Sequence, residues 1–260
     1  MGTSFEQPIL TGQVDGIGVL NLLECVKQVN PAIKVYQAST SELFGNKSFS
    51  LACTDYSLSE ASLLWPASPY AAAKLYSFHM TRIYREAYDM FCVSGILFNH
   101  ESPLRGLEFV TRKVTNAVAR IKLGLQKHLE LGFLDAKRDW GYAAEYVEAM
   151  WLMLQQDKAG DFTIATGNSY SVRELCDVAF SMVGLNYNDH VLVAEKYKRC
   201  MDVYSLCGDA SQAQEKLGWS ASTGFRELVE LMVEADLKRW TDWQAGRLFP
   251  WDAINDPLCY

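Results

Sequence analysis

The stretch from Pro69 to Phe98, PYAAAKLYSFHMTRIYREAYDMFCVSGILF, decides the fold class. Its first part reads as a helix from about Tyr70 to Tyr88. Pro69 stands at the helix start, where a missing N–H does no harm. Its last part, Cys92 to Phe98, is a short continuous apolar run and reads as a buried strand. Upstream, Ile33-Lys34-Val35-Tyr36-Gln37 reads as another short strand, and Gly16 to Val26 as an amphipathic helix before it. Downstream, helices are predicted over 109–123, 143–156 and 224–239, the last with Thr223 as its N-cap. Phe162 to Ala165 reads as a third strand. Ser171 and Glu174 form a capping box that opens a helix to about Val183. Residues 46–67 read as a surface loop, and the chain after 240 carries no assignable pattern. Strands alternating with helices predict an α/β fold with a parallel sheet.

The 260 residues carry 24 Lys+Arg against 31 Asp+Glu, a net charge of −7. That balance argues against a nucleic-acid partner, which calls for a basic face. A hydrophobic fraction of 49% is globular rather than disordered. There are 7 cysteines, an odd number with no CxxC. They read as free thiols in a reducing cytosol, which predicts a cytoplasmic protein. The opening residues lack a signal peptide's pattern. No uninterrupted apolar run is long enough to cross a bilayer, so no membrane partner is expected. His79, His100, His128 and His190 have no metal-ligand spacing, and no metal is expected.

Tyr70 and Lys74 stand four apart on the predicted helix and share a face. A nearby ammonium favours phenolate over phenol. A tyrosine tuned in this way can take a proton from an alcohol while hydride leaves for a nicotinamide. The strand ending at Gln37 is followed by Ser39, Thr40 and Glu42. Catalytic groups of α/β sheets gather at such carboxyl ends. A hydroxyl there could bond a substrate oxygen, and a carboxylate two residues on could serve as a second base. The same residues also fit a plain turn and cap.

Longer strings carry a family resemblance. Tyr36-Gln37-Ala38-Ser39-Thr40-Ser41-Glu42-Leu43-Phe44-Gly45 and Ser68-Pro69-Tyr70-Ala71-Ala72-Ala73-Lys74-Leu75-Tyr76 are two. Gly95 to Pro103, Phe109 to Lys113, Lys137-Arg138-Asp139-Trp140-Gly141 and Val147 to Gln155 are the others. In order and spacing, from about Ser4 to Arg239, they resemble GDP-mannose 4,6-dehydratases, extended short-chain dehydrogenase/reductases. The resemblance implies a partial Rossmann-type parallel sheet with a smaller C-terminal substrate-binding domain. Residues 1–102 and 139–168 would form the Rossmann-type part, 103–138 and 169–245 the GDP-sugar-binding part, and 246–260 a tail. It implies catalytic NADP, GDP-mannose as substrate and a homo-oligomer, a dimer or tetramer. Tyr70 would deprotonate the sugar C4 hydroxyl, Lys74 would hold the nicotinamide ribose, Thr40 would bond the C4 oxygen, and Glu42 would take the C5 proton. His100 and Arg105 match cofactor contacts. Asn99, Val110, Lys113, Arg138, Arg199 and Asp202 fall in the part of the pattern that surrounds the GDP-sugar. Read alone, Arg138 and Arg199 also fit exposed surface positions, and His100 an interior histidine.

The chain departs from the pattern in places. The Gly-rich phosphate turn after a first strand is not found. Gly16 and Gly18 read as close helix packing, and on the order of 100 residues of βα units are expected to be missing, at ~30 per βαβ unit. The sheet edge left open would be an aggregation hazard. Leu10, Leu104, Tyr142, Cys200, Asp202 and Tyr204 replace residues usual in the family, and Lys47 to Leu64 is longer. Three readings therefore stand: the dehydratase; a truncated non-catalytic homologue that binds GDP-sugar or pairs with a full-length partner; and a sister reductase or epimerase. Glu42 argues against the last, because simple reduction has no need of a C5 base.

Overall fold

The computed structural model describes residues 2–45, 57–194 and 205–247. The chain forms two compact units. One comprises Met1–His100, Arg138–Ser169 and Cys200–Ser222; the other comprises Glu101–Lys137, Tyr170–Arg199 and Thr223–Tyr260.

The first unit is built on three parallel strands, with Cys92–Leu97 between Val35–Ala38 and Asp161–Ile164. All six residues of the central strand are buried, as expected when helices cover both faces of a parallel sheet. Val93 and Leu97 pack with Tyr146, Ala149 and Met153 of the Ala143–Gln155 helix. On the other face, Cys92 packs with Leu23 and Tyr84, and Ile96 with Leu43 and Phe78. The Pro69–Tyr88 helix supplies Phe78 and Tyr84. Ser68 caps it, accepting from the Ala71 N–H at 3.1 Å, and Asp89 ends it in the left-handed region at φ 52°. Arg85 pins its far end, with its two Nη atoms 2.9 and 2.8 Å from the Asp161 carboxylate and Nη1 2.9 Å from the Cys92 carbonyl oxygen.

Several expectations are corrected. The N-terminal helix runs from Pro8 to Val29, well before Gly16, and a π-helical stretch, Gly12–Ile17, bridges its two α-helical parts. By length and mean hydropathy of 1.3 it could cross a bilayer, and only 11% of its apolar window is buried. The helix is not an uninterrupted apolar run, since Gln13, Asp15, Asn21, Glu24 and Lys27 lie within it. Its inner side packs close: a Cβ on Gly16 would lie 3.5 Å from the Ala73 carbonyl oxygen and from the Tyr76 ring. Residues 205–222 stand with the first unit rather than the sugar-binding part, because Ala213, Leu217 and Trp219 join its core around Phe162 and Ile164. Of the expected surface loop 46–67, residues 46–56 lie outside the described residues. Leu58 is buried and pairs with the segment around Gly208. The last helix is Phe225–Gln244, and Gly224, not Thr223, is its N-cap.

The second unit packs the helices Val110–Lys122, Val172–Met182 and Phe225–Gln244. Two short parallel strands, Leu129–Leu131 and Val191–Val193, accompany them. The capping box of Ser171 and Glu174 forms as expected. Asp236, fully buried, accepts from Arg112 Nε at 2.9 Å, Thr115 Oγ1 at 2.7 Å and Arg239 Nη1 at 3.1 Å. Arg112 also donates to the carbonyls of Pro103 and Arg105, at 2.6 and 3.0 Å. One turn on, Trp240 Nε1 donates to Asn116 Oδ1 at 2.7 Å. Burial pushes the Asp236 carboxyl up while its arginines pull it down, with burial the larger effect. Removing one partner of such a pair strands a buried charge. Asp236→Ala should therefore cost about 3–5 kcal/mol in urea unfolding, and the Arg112→Leu/Asp236→Leu double variant should cost less. Equal losses in the two would show that the pair itself, not the stranded charge, supplies the stability.

Candidate active site

The strand Val35–Ala38 delivers two of the four expected catalytic residues. After it the chain stays extended: Ser39 N–H donates to the Gly95 carbonyl at 2.8 Å. Thr40, at φ −152° and ψ 145°, then caps a single 3-10 turn, Ser41–Leu43, with its Oγ1 accepting from the Glu42 N–H at 3.3 Å. That bond uses a hydroxyl lone pair and leaves the hydroxyl proton free to be given to an incoming oxygen. Glu42 is 9% exposed. Gly45 closes the segment at φ +55°, where a Cβ would run into the Trp65 carbonyl, and Trp65 N–H donates to the Leu43 carbonyl at 2.7 Å.

The Pro69–Tyr88 helix delivers the other two in its first turns. Lys74 Nζ lies 5.8 Å from the Tyr70 ring centroid. It donates to the Ala38 carbonyl at 3.2 Å, which sets the lysine against the strand end that carries Thr40 and Glu42. Asp15 Oδ1 lies 3.8 Å from the same ammonium. Neither Asp15 nor the Ala38 carbonyl was expected there, since the residues concerned are far apart in sequence.

Other candidates divide between the units. Asn99, His100 and Arg138 stand in the first and are half-buried. His100 Nδ1 lies 2.9 Å from the Phe98 carbonyl oxygen, and its ring stacks on Tyr146 at 5.2 Å. Beside Arg138, the fully buried Asp139 accepts from Thr166 N–H and Oγ1 at 2.9 and 2.7 Å. It also accepts from the N–H groups of Gly167 and Gly208, at 3.0 and 3.2 Å. Asp139 thus ties the Arg138 strand to two other segments, a role that its place in a resemblance string did not reveal. Arg105, Val110 and Lys113 stand in the second unit. Arg105 Nε is 3.2 Å from Glu101, and its guanidinium lies 3.6 Å over the Phe109 ring. Val110 opens a helix, with half-buried Lys113 one turn along. Arg199 and Asp202 lie outside the described residues. Gly12, Gly16 and Gly18 are all helical, so no phosphate-cradling turn exists at these glycines.

Comparisons with known proteins agree with the parallel sheet. RMD from Pseudomonas aeruginosa complexed with NADPH matches at a TM-score of 0.81 with 20% identity, covering 92% of this chain and 78% of that one. UDP-glucose 4-epimerase of Thermus thermophilus, in complex with NAD, matches at 0.77 with 26% identity, covering 90% and 73%. In sequence the chain is 50% identical to GDP-mannose 4,6 dehydratase 1 of Arabidopsis thaliana over 242 residues, 92% of this chain and 65% of that protein. It is 46% identical to the Homo sapiens GDP-mannose 4,6 dehydratase over 254 residues, 90% of this chain and 67% of that protein. It thus spans about two-thirds of the length of these relatives. The family model for GDP-mannose 4,6 dehydratase matches residues 1–232, and the chain belongs to that family.

Proposed function

We propose that this chain carries the active site of a GDP-mannose 4,6-dehydratase that uses a nicotinamide cofactor, NADP in our reading. The observation behind this is one strand end that presents Thr40 and Glu42 while Lys74, one helical turn from Tyr70, is tied to the same strand. Tyr70 and Lys74 suit the nicotinamide-ribose half of such a cofactor. The helical glycines at 12, 16 and 18 supply nothing for its phosphates, so the fit extends to that half alone. Bound there, the cofactor supplies a hydride acceptor that later gives the hydride back.

The chain's own residues do the rest. Tyr70 takes the proton of the sugar C4 hydroxyl as C4 is oxidised to a ketone. Thr40 donates its hydroxyl proton in a hydrogen bond to the C4 oxygen. Glu42, largely shielded from water, takes the C5 proton that the new ketone has acidified. Glu42 passes that proton to the C6 hydroxyl, which leaves as water; with the hydride given back at C6 by a bound cofactor, the solvent-exchangeable proton held on Tyr70 would return to C5. The sugar leaves as the 4-keto-6-deoxy compound with no net oxidation. Within the first unit, Arg138 is the side chain we assign to the GDP moiety.

The N-terminal helix supports a homo-oligomer. Ile9, Leu10, Val14 and Ile17 are exposed on it, and Tyr76, Ile83 and Tyr88 on the Pro69–Tyr88 helix. An apolar area of this kind marks an association surface. The described cysteines 25, 92, 176 and 207 are free, which favours a reducing, cytosolic setting.

Two measurements test this. NADP and GDP-mannose titrations of the purified chain should both show binding, and turnover in D2O should place solvent deuterium at C5. Tyr70→Phe and Glu42→Gln should each lower kcat by about 10²–10⁴-fold, the usual worth of a positioned acid or base, with GDP-mannose binding retained. Binding of GDP-mannose without NADP would replace the enzyme with a sugar-nucleotide-binding relative. Separately, light scattering should find an oligomer that Val14→Asp converts to monomer. A monomeric wild-type chain that floats with liposomes would instead assign the N-terminal helix to a membrane.

A further inference from the structure

A closed ring of hydrogen bonds surrounds Lys74. Its ammonium donates to the Ala38 carbonyl at 3.2 Å, and Gln37 Nε2 donates to that same oxygen at 2.9 Å. The Gln37 amide nitrogen also donates to Ser77 Oγ at 3.2 Å. The Ser77 hydroxyl in turn donates to the main-chain carbonyl of Lys74, at 3.0 Å. The ring thus starts at the lysine side chain and returns to its own backbone. Gln37 is 5% exposed and Ser77 fully buried, so water does not compete for the bond between them, while the Lys74–Ala38 bond lies at the surface. The two acceptors also fix which way the amide points, since the reverse orientation would set Gln37 Oε1 against the Ala38 oxygen.

We propose that Gln37 is a positioning residue for Lys74. A lysine ammonium is a point charge on a flexible stem and carries no geometry of its own. Its direction must come from a fixed acceptor. The Ala38 carbonyl follows the last residue of an edge strand's buried stretch, and nothing in the strand ladder alone holds both of its lone pairs. Gln37 occupies one of them and anchors it to the helix through Ser77, which leaves the other aimed at Lys74. Asp15, 3.8 Å from the ammonium, draws on it from the N-terminal helix; the ring holds it at the strand end against that attraction. Strand and helix are joined at the two points that fix the lysine.

This inference rests on the dehydratase reading only for its effect on turnover. The first test needs no activity. Lysine side chains of the 260-residue chain are labelled with 13C and 15N, and the Lys74 signal is identified by its loss in Lys74→Arg. A held lysine shows two inequivalent Hε protons. Gln37→Met, similar in length but without a donor, should merge them into one averaged signal. Should that variant not fold, Ser77→Ala breaks the same ring with a smaller change. Thr81→Val removes a different buried bond, from Thr81 Oγ1 to the Ser77 carbonyl at 2.9 Å, and should leave the pair split. A split that persists in both ring variants, or that merges equally in Thr81→Val, would overturn the proposal. In the dehydratase assay, Gln37→Met should lower kcat about 10- to 100-fold, as misplacement of a catalytic group does, with KM changed less than about twofold. An unchanged kcat in an active background would also overturn it. An inactive wild-type chain would sink the dehydratase reading and leave the NMR result to decide this one.

Discussion

The position of the Pro69–Tyr88 helix on the parallel sheet governs the first unit. The helix is fastened at both ends. Arg85 forks onto Asp161 and reaches the Cys92 carbonyl, tying the helix to two strands at once. Lys74 reaches the Ala38 carbonyl on the third strand, about three turns away along the helix axis. Paired guanidinium–carboxylate bonds fix direction as well as distance. With one end locked and apolar contacts from Phe78 and Tyr84 between, the first turns of the helix have little freedom to slide. Tyr70 inherits its place from that arrangement. The chemistry-bearing end of the helix is the less tightly held one, since it depends on a lysine rather than a fork.

Much of this was legible in sequence, and the reasons differ by element. The strand Cys92–Leu97 announced itself because a central parallel strand must be apolar throughout. The helix start was marked by Pro69, which acts through local backbone chemistry; the Ser68 cap was not read. The strands Leu129–Leu131 and Val191–Val193 were not legible, because three residues contain too little alternation to signal a period. The N-terminal helix was read too short at its start, where Gly12, Gln13 and Asp15 break the apolar pattern, whereas Gly16 was read as close helix packing and does meet the Ala73 backbone. The Ser211–Leu217 helix was missed for its length and its polar surface; its fold assignment comes from Ala213 and Leu217 meeting Phe162. The second-unit candidates were legible only as strings, because Val110 and Lys113 are ordinary residues of an ordinary helix.

Buried polar residues separate the two units by purpose. In the second unit, Arg112 and Asp236 lock helices together, and their charges are spent on each other. In the first, Asp139 accepts four bonds at a place adjoining Arg138, and Gln37 spends its amide on the lysine's acceptor. A glutamine inside a buried strand is expensive to desolvate, and here Nε2 makes two bonds while Oε1 is buried with none. Its neighbours Val35 and Ala38 are apolar. The polar residue among them makes sense only in what it holds, which is why a pattern-based reading passes over it as a strand end.

The pairing of Thr40 with Glu42 carries the last constraint. Both stand on one 3-10 turn, joined by a bond from the Glu42 N–H to the Thr40 hydroxyl oxygen. In the proposed reaction, a donor to the C4 oxygen and a base for C5 would have to address adjacent carbons of one ring. Two residues on separate loops could drift apart by more than that spacing. On one capped turn the same backbone bond that directs the threonine proton also sets where the glutamate leaves the chain. Gly45 and the Trp65 carbonyl close the turn from the other side, so it cannot unwind without breaking the packing around Leu43 and Phe44. Simple alcohol oxidation would be served by Tyr70, Lys74 and a hydroxyl. In the proposed reading, a buried carboxylate on the same turn as that hydroxyl would serve to remove a second proton, on the neighbouring carbon.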